Sequence, residues 1–169
     1  MSQELAVETR GLTRDFGSFR AVHGIDLAVP AGSLYGFLGP NGAGKSTTIK
    51  CLTGLLRPSA GAITILGMDP SKDPVAVKRR IGVVPEDLAL FDRLTASETL
   101  SFVAQVHGLD AATARQRTAD LLGVMDLAGA GSTLVTDFSH GMRKKLSLAA
   151  ALLDAQRRLL LRGSGCGPV

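Results

Sequence analysis

The sequence predicts an α/β fold: a core of strands and helices with antiparallel strands at its N-terminus and a helical insertion further along. Three observations carry that prediction. Residues 39–47, Gly-Pro-Asn-Gly-Ala-Gly-Lys-Ser-Thr, fit a P-loop pattern, two glycines with four residues between them followed by Lys and Ser. A short apolar run enters this loop and a helical pattern leaves it, the setting such a loop requires. From about residue 87 the texture changes from short strands to capped helices.

The elements follow in order. Leu5 to Thr13 and Ala21 to Val29 read as two strands joined by a turn at Phe16-Gly17-Ser18. Pro30-Ala31-Gly32 makes the next turn, and Ser33 to Leu38 reads as a buried strand leading into the loop. Thr48 to Leu56 reads as a helix with Ile49, Leu52 and Leu56 on one face. Ala62 to Leu66 is a strand between glycines, Pro74 to Arg80 a short helix, and Ile81 to Val84 a strand ending at Pro85. Thr95-Ala-Ser-Glu98 has the form of a capping box, and Gly108 stops the helix it opens. His107 reads as a helix-end residue, since no His or Cys stands at metal spacing from it. Asp110 caps a second helix carrying Ala114, Thr118, Leu121, Leu122 and Met125. Gly129 to Asp137 is a loop, and Met142 to Leu153 a third helix with Leu146, Ala149, Ala150 and Leu153 inward.

The loop's chemistry follows from its residue types. Gly39, Gly42 and Gly44 let the backbone curl with no Cβ to hold a ligand off. The loop residues Gly39, Pro40, Asn41, Gly42, Ala43, Gly44, Lys45, Ser46 and Thr47 then form one concavity into which successive N–H groups point, and it suits phosphate oxygens. The helix start adds unpaired N–H groups and the positive end of its dipole. Lys45 is expected to reach the β- and γ-phosphates of a nucleoside triphosphate, and the Ser46 hydroxyl to ligate Mg²⁺.

At 169 residues, 45% hydrophobic and 20% charged, the chain is globular rather than disordered. No apolar run approaches the 18 residues of a membrane span, and the N-terminus has neither the basic nor the apolar part of a signal peptide. Cys51 and Cys166 lie far apart and suggest neither a metal site nor a disulfide framework, so a reducing cytoplasm is expected. The net charge is +4, and Arg157, Arg158 and Arg162 all follow the last acid, Asp154. The basic balance belongs largely to this tail and does not argue for a nucleic-acid partner.

Further residues give the pattern a family. Phe16 lies upstream of the loop, Ile81-Gly-Val-Val-Pro-Glu86 downstream, then Phe138-Ser139-His140-Gly141-Met142. Together, in this order, they resemble the ATP-binding subunit of an ABC transporter over about residues 3–161. The resemblance implies that Phe16 stacks on adenine; taken alone, Phe16 reads also as a packed turn residue. Glu86 stands where the family keeps a glutamine that touches Mg²⁺ and the attacking water. A glutamate still ligates a hard cation but cannot donate a hydrogen bond when ionised. Glu86 reads equally as the first residue of an exposed loop. Ser139 and Gly141 match the family's signature, Leu-Ser-Gly-Gly-Gln, while His140 and Met142 depart from it. A hydroxyl and a bare backbone at a helix start make an anion site; Ser139 alone reads also as an ordinary N-cap. The resemblance implies ATP and Mg²⁺ as ligands and a head-to-tail dimer with a second ATP-binding subunit. It also implies a membrane permease partner that holds the chain at the inner face of the membrane. Glu86 with the Ser-His-Gly-Met signature is similar to ATPases that work with separate permeases in bacterial exporters.

The resemblance breaks near the end. The family's next strand ends in Asp-Glu, one residue for Mg²⁺ and one for the attacking water. Here Arg158-Leu159-Leu160-Leu161 is followed by Arg162 and Gly163. A guanidinium repels Mg²⁺ and does not act as a base. Residues 163–169 hold no acid and no histidine. The expectation is therefore an incomplete ABC-type domain over 1–162, with its helical subdomain at about 87–137 and the C-terminal part of the core missing. Residues 163–169 would be an aberrant tail, the product of a frameshift or truncation. Two functions are in play: an energising transporter subunit, and a binding module that holds ATP without turnover. A small kinase or GTPase is a third, disfavoured by residues 138–142.

Overall fold

The computed structural model describes residues 4–84 and 90–153, and the backbone alone of 159–162. These residues fall into two compact units, one up to Gly82 and one from Val83 to Arg162.

The first unit is built on a three-stranded antiparallel sheet in the order β2-β1-β3, with β1 Leu5–Phe16, β2 Phe19–Pro30 and β3 Ala60–Ile65. The expected hairpin is present, and its strands run longer than the sequence suggested, pairing up to Phe16 opposite Phe19. Ala6, Val7, Leu12, Val22, Val29, Ile63 and Ile65 are buried. Thr9 is buried with them, and its hydroxyl donates to the Ile25 carbonyl at 2.8 Å while accepting from the Leu27 N–H at 2.9 Å. Helix α1, Lys45–Leu52, buries Leu52 of the expected stripe together with Thr48 and Cys51, while Ile49 and Leu56 are only half-buried. The helix ends at Thr53, with Gly54 at φ 71°, so Leu56 lies beyond it. Helix α2, Pro74–Arg80, has the expected bounds: Asp73 accepts the Ala76 N–H and Pro74 opens the first turn.

The expected strand at 33–38 does not form. Residues 33–40 have no regular structure, and Leu34 and Leu38 are 104% and 91% exposed. An apolar run becomes a strand only when neighbours take up its N–H and C=O groups. Among the described residues, β4, Ile81–Val84, pairs with β5, Leu159–Arg162, and neither sheet includes 33–38.

The second unit is mostly helical: α3 Ala96–Val106, α4 Ala111–Val124 and α5 His140–Leu152, with two single 3-10 turns at 128–130 and 135–137 where a loop was expected. Its core gathers Leu100, Leu122, Leu127, Val135, Phe138, Leu146 and Leu153. The capping box is complete: the Thr95 hydroxyl accepts the Glu98 N–H, and the Glu98 carboxylate accepts the Thr95 N–H at 2.8 Å. Asp110 accepts the N–H groups of Ala112 and Thr113, and His107 is the C-cap of α3. Among the described residues no helix is long and apolar enough to cross a membrane.

Candidate nucleotide-binding site

The glycine-rich loop is seated on the sheet by its own backbone. Gly42 and Gly44 have φ of 84° and 79°, the left-handed region that glycine enters freely. A Cβ at Gly44 would fall on the carbonyl oxygen of Ala21, so the end of the loop lies directly against β2. Around Gly42 there is open space, and residues 39–43 are exposed. The Ala43 N–H closes the turn onto the Pro40 carbonyl at 3.2 Å.

Helix α1 starts immediately behind this seat. Its N-cap, Gly44, offers no side-chain acceptor, and the first intrahelical bond runs from the Thr48 N–H to the Gly44 carbonyl at 2.8 Å. First-turn N–H groups have no carbonyl one turn earlier to meet. A helix start with no side-chain cap from Gly44, behind an open glycine curl, fits a phosphate group. Lys45 donates to the carbonyls of Gly39 and Pro40 at 2.6 and 2.7 Å, which holds the ammonium across the mouth of the loop. Ser46 and Thr47 stand in the first turn, Ser46 exposed and Thr47 half-buried. Among the described residues no three His, Cys, Asp or Glu come together as a metal cage. A hydroxyl beside bound phosphates is the donor set that suits Mg²⁺, which takes few protein ligands and shares the phosphate oxygens.

Phe16 ends β1 at the tip of the hairpin and is 45% exposed. Its partner is Phe19, two residues before Ala21. Since Gly44 rests on Ala21, strand geometry brings Phe16 to within on the order of 10 Å of the loop. The guanidinium carbon of Arg14 lies 4.6 Å from the centre of the Phe16 ring. The sequence reading missed Arg14, although residues two apart on a strand share a face. Asp15, on the opposite face, receives Arg20 at 2.8 Å, and that hydrogen bond chiefly holds its carboxyl below the usual range. Burial pushes the Cys51 thiol up, with the charge of Arg14 opposing.

In the second unit Ser139 is the N-cap of α5 and accepts the Met142 N–H at 3.2 Å. Ser139, His140 and Gly141 are all exposed. Of the three cations that follow, Arg143 binds Asp92 at 2.7 Å and the Val135 carbonyl at 3.1 Å, and Lys145 reaches Asp126 at 3.4 Å. These pairings offset the unfavourable charge at the helix start. Glu86 lies outside the described residues.

A glycine curl on a strand, opening a helix without a side-chain cap, defines a P-loop nucleotide-binding fold. The particular family comes from comparison with known proteins: a family model described as ABC transporter matches residues 22–161. The chain belongs to this family. It is 43% identical over 156 residues to the daunorubicin/doxorubicin resistance ATP-binding protein DrrA of Streptomyces peucetius, covering 92% of this chain and 47% of that protein. It is 37% identical over 155 residues to the bacitracin transport ATP-binding protein BcrA of Bacillus licheniformis, covering 92% and 50%. A solved structure of an ATP-binding subunit of an ABC transporter superposes with a TM-score of 0.80 at 27% identity, covering 95% of this chain and 80% of that one. The chain spans about half the length of the curated relatives it matches.

Proposed function

We propose that this chain is the nucleotide-binding part of a subunit that energises export of an antibiotic-like molecule through a separate membrane permease, and that it binds MgATP without turning it over. The observation that carries the binding reading is the start of α1: a helix behind the left-handed glycines Gly42 and Gly44, with no Gly44 side chain in the way and Lys45 across the mouth. Gly39 to Thr47 would hold the phosphates, Phe16 the base, and Ser46 the metal, with Glu86 as a second oxygen donor. When bound, Mg²⁺ neutralises charge on the β- and γ-phosphates. Ser139 and Gly141 would face the nucleotide of a second subunit in a head-to-tail dimer at the inner face of the membrane. The export reading is supported by relatives named for resistance to daunorubicin and for bacitracin transport.

The absence of turnover is supported by the end of β5, where Arg162 and Gly163 stand in place of two acids. Hydrolysis needs charge stabilisation and an oriented water at the γ-phosphate, and a guanidinium supplies neither metal anchor nor base. Calorimetry with MgATP should show binding that Lys45→Ala abolishes, with phosphate release at background for both proteins. Turnover in the purified chain that disappears in Lys45→Ala would overturn the second half of the proposal. Equal binding by both proteins would overturn the first.

A further inference from the structure

The nucleotide reading leaves Arg14 without a task, and its geometry supplies one. On β1 it is two residues from Phe16 and shares its face of the strand. Its guanidinium carbon lies 4.6 Å from the ring centre, within cation–π distance. One guanidinium nitrogen, Nη1, donates to the Arg57 carbonyl at 2.9 Å, which ties the group to the chain after α1. Nε is buried and has no hydrogen-bond partner among the described residues, so the position of the group is not explained by saturated hydrogen bonding. The neighbouring carboxylate, Asp15, takes its hydrogen bond from Arg20, and Arg14 acts on it through charge alone. Phe16 itself is the last residue of the strand before the turn at Gly17 and is nearly half exposed. Without a support on one face, a ring in that place is free to turn about its side-chain bonds.

We propose that Arg14 is a positioning residue for the base of a purine nucleoside triphosphate: it lies on one face of the Phe16 ring and fixes the plane on which the base stacks. This rests on the nucleotide reading of the P-loop and deepens it. The order is guanidinium, phenyl, purine. The cation draws on the ring from behind, and the Arg57 carbonyl keeps it in place.

The test separates base from phosphates. Affinities for MgATP and for magnesium tripolyphosphate are measured by calorimetry on the full chain and on Arg14→Gln, Arg14→Lys, Phe16→Ala and the Arg14→Gln/Phe16→Ala double variant. Gln keeps a donor for the Arg57 carbonyl and removes the charge; Lys keeps the charge. Arg14→Gln should weaken MgATP binding by roughly two- to fivefold and leave tripolyphosphate unchanged. Arg14→Lys should recover part of that loss. Phe16→Ala should weaken MgATP by roughly tenfold, and the double variant should bind no more weakly than Phe16→Ala. The proposal is overturned if Arg14→Gln binds MgATP as the parent does. It is overturned equally if MgATP and tripolyphosphate weaken together, or if the loss persists without Phe16. If the parent binds neither ligand, the nucleotide reading falls first and this inference with it. If Phe16→Ala loses MgATP and Arg14→Gln does not, this inference alone falls.

Discussion

Substituting Gly44 by alanine tests whether the P-loop is seated on β2. Two costs are added at this position. Alanine at φ 79° costs about 1–2 kcal/mol. The new Cβ would also fall on the Ala21 carbonyl oxygen, a backbone atom that yields only if β2 or the loop moves. Overpacking of that kind costs about 1–3 kcal/mol. Together they remove about 2–5 kcal/mol from a total stability of about 5–15 kcal/mol. Gly42→Ala is the control, since φ there is 84° but its Cβ would meet nothing within 4 Å. It bears only the backbone cost, so the two variants should differ by about 1–3 kcal/mol. With a urea dependence of about 2 kcal/mol per molar, the midpoints separate by roughly 0.5–1.5 M. Circular dichroism in a urea series reads this directly. Coincident midpoints for Gly44→Ala and Gly42→Ala would refute the close approach, and with it the strand-by-strand path from the loop to Phe16.

Two further predictions concern surfaces and caps. Leu34→Lys/Leu38→Lys should leave the melting temperature nearly unchanged, within about 0.5 kcal/mol, and should reduce binding of an exposed-surface dye, because both side chains are exposed; a collapse of stability would show that 33–38 is buried after all. Thr95→Ala should destabilise the helical unit by about 1 kcal/mol at neutral pH. Hydrogen bonds from the Thr95 N–H and hydroxyl hold the Glu98 carboxyl below its usual range, so its contribution is present above the ordinary carboxylate range and is lost as pH falls through the lowered value. The Ala variant keeps the N–H bond and loses the hydroxyl's, so its deficit relative to the parent should shrink in part as pH falls below the ordinary carboxylate range, and a deficit in urea midpoints that stays constant through that fall would contradict the assignment.

Local signals were legible in the sequence and non-local ones were not. Pro74, Thr95 with Glu98, and Asp110 each mark a helix start, and α2, α3 and α4 begin where those residues place them; the Asp73 cap of α2 was not read. The hairpin was legible because its two strands are joined by a two-residue turn. The run 33–38 was misread because an apolar hexamer says nothing about which strand will pair with it. The face of α1 was misread for a related reason. Thr48 and Cys51 are buried, and what covers a helix face is set by the elements around it, which no periodicity in the helix itself reveals. Of the site, the glycine curl and Lys45 were legible as chemistry, but the return of Lys45 onto the Gly39 and Pro40 carbonyls was not. Ser139 turned out to cap α5, a role compatible with facing an anion, since a hydroxyl that accepts one N–H still has its own proton to donate.

The proposal of binding without turnover rests on the different demands that the two make on a chain of this kind. Phosphate binding draws on backbone N–H groups of a single turn and helix start, held by Gly44 on β2 and by local hydrogen bonds. Those groups are fixed by segments close in sequence. Turnover, on the proposed reading, would draw on carboxylates at the end of another strand, and β5 ends in Arg162. Exchanging a carboxylate for a guanidinium there changes the local charge by two, from a group that attracts Mg²⁺ to one that repels it. The polyanionic nucleotide is not itself repelled by that change. On the proposed function, the chain would therefore keep the affinity that the loop supplies and lose the step that the strand end supplies.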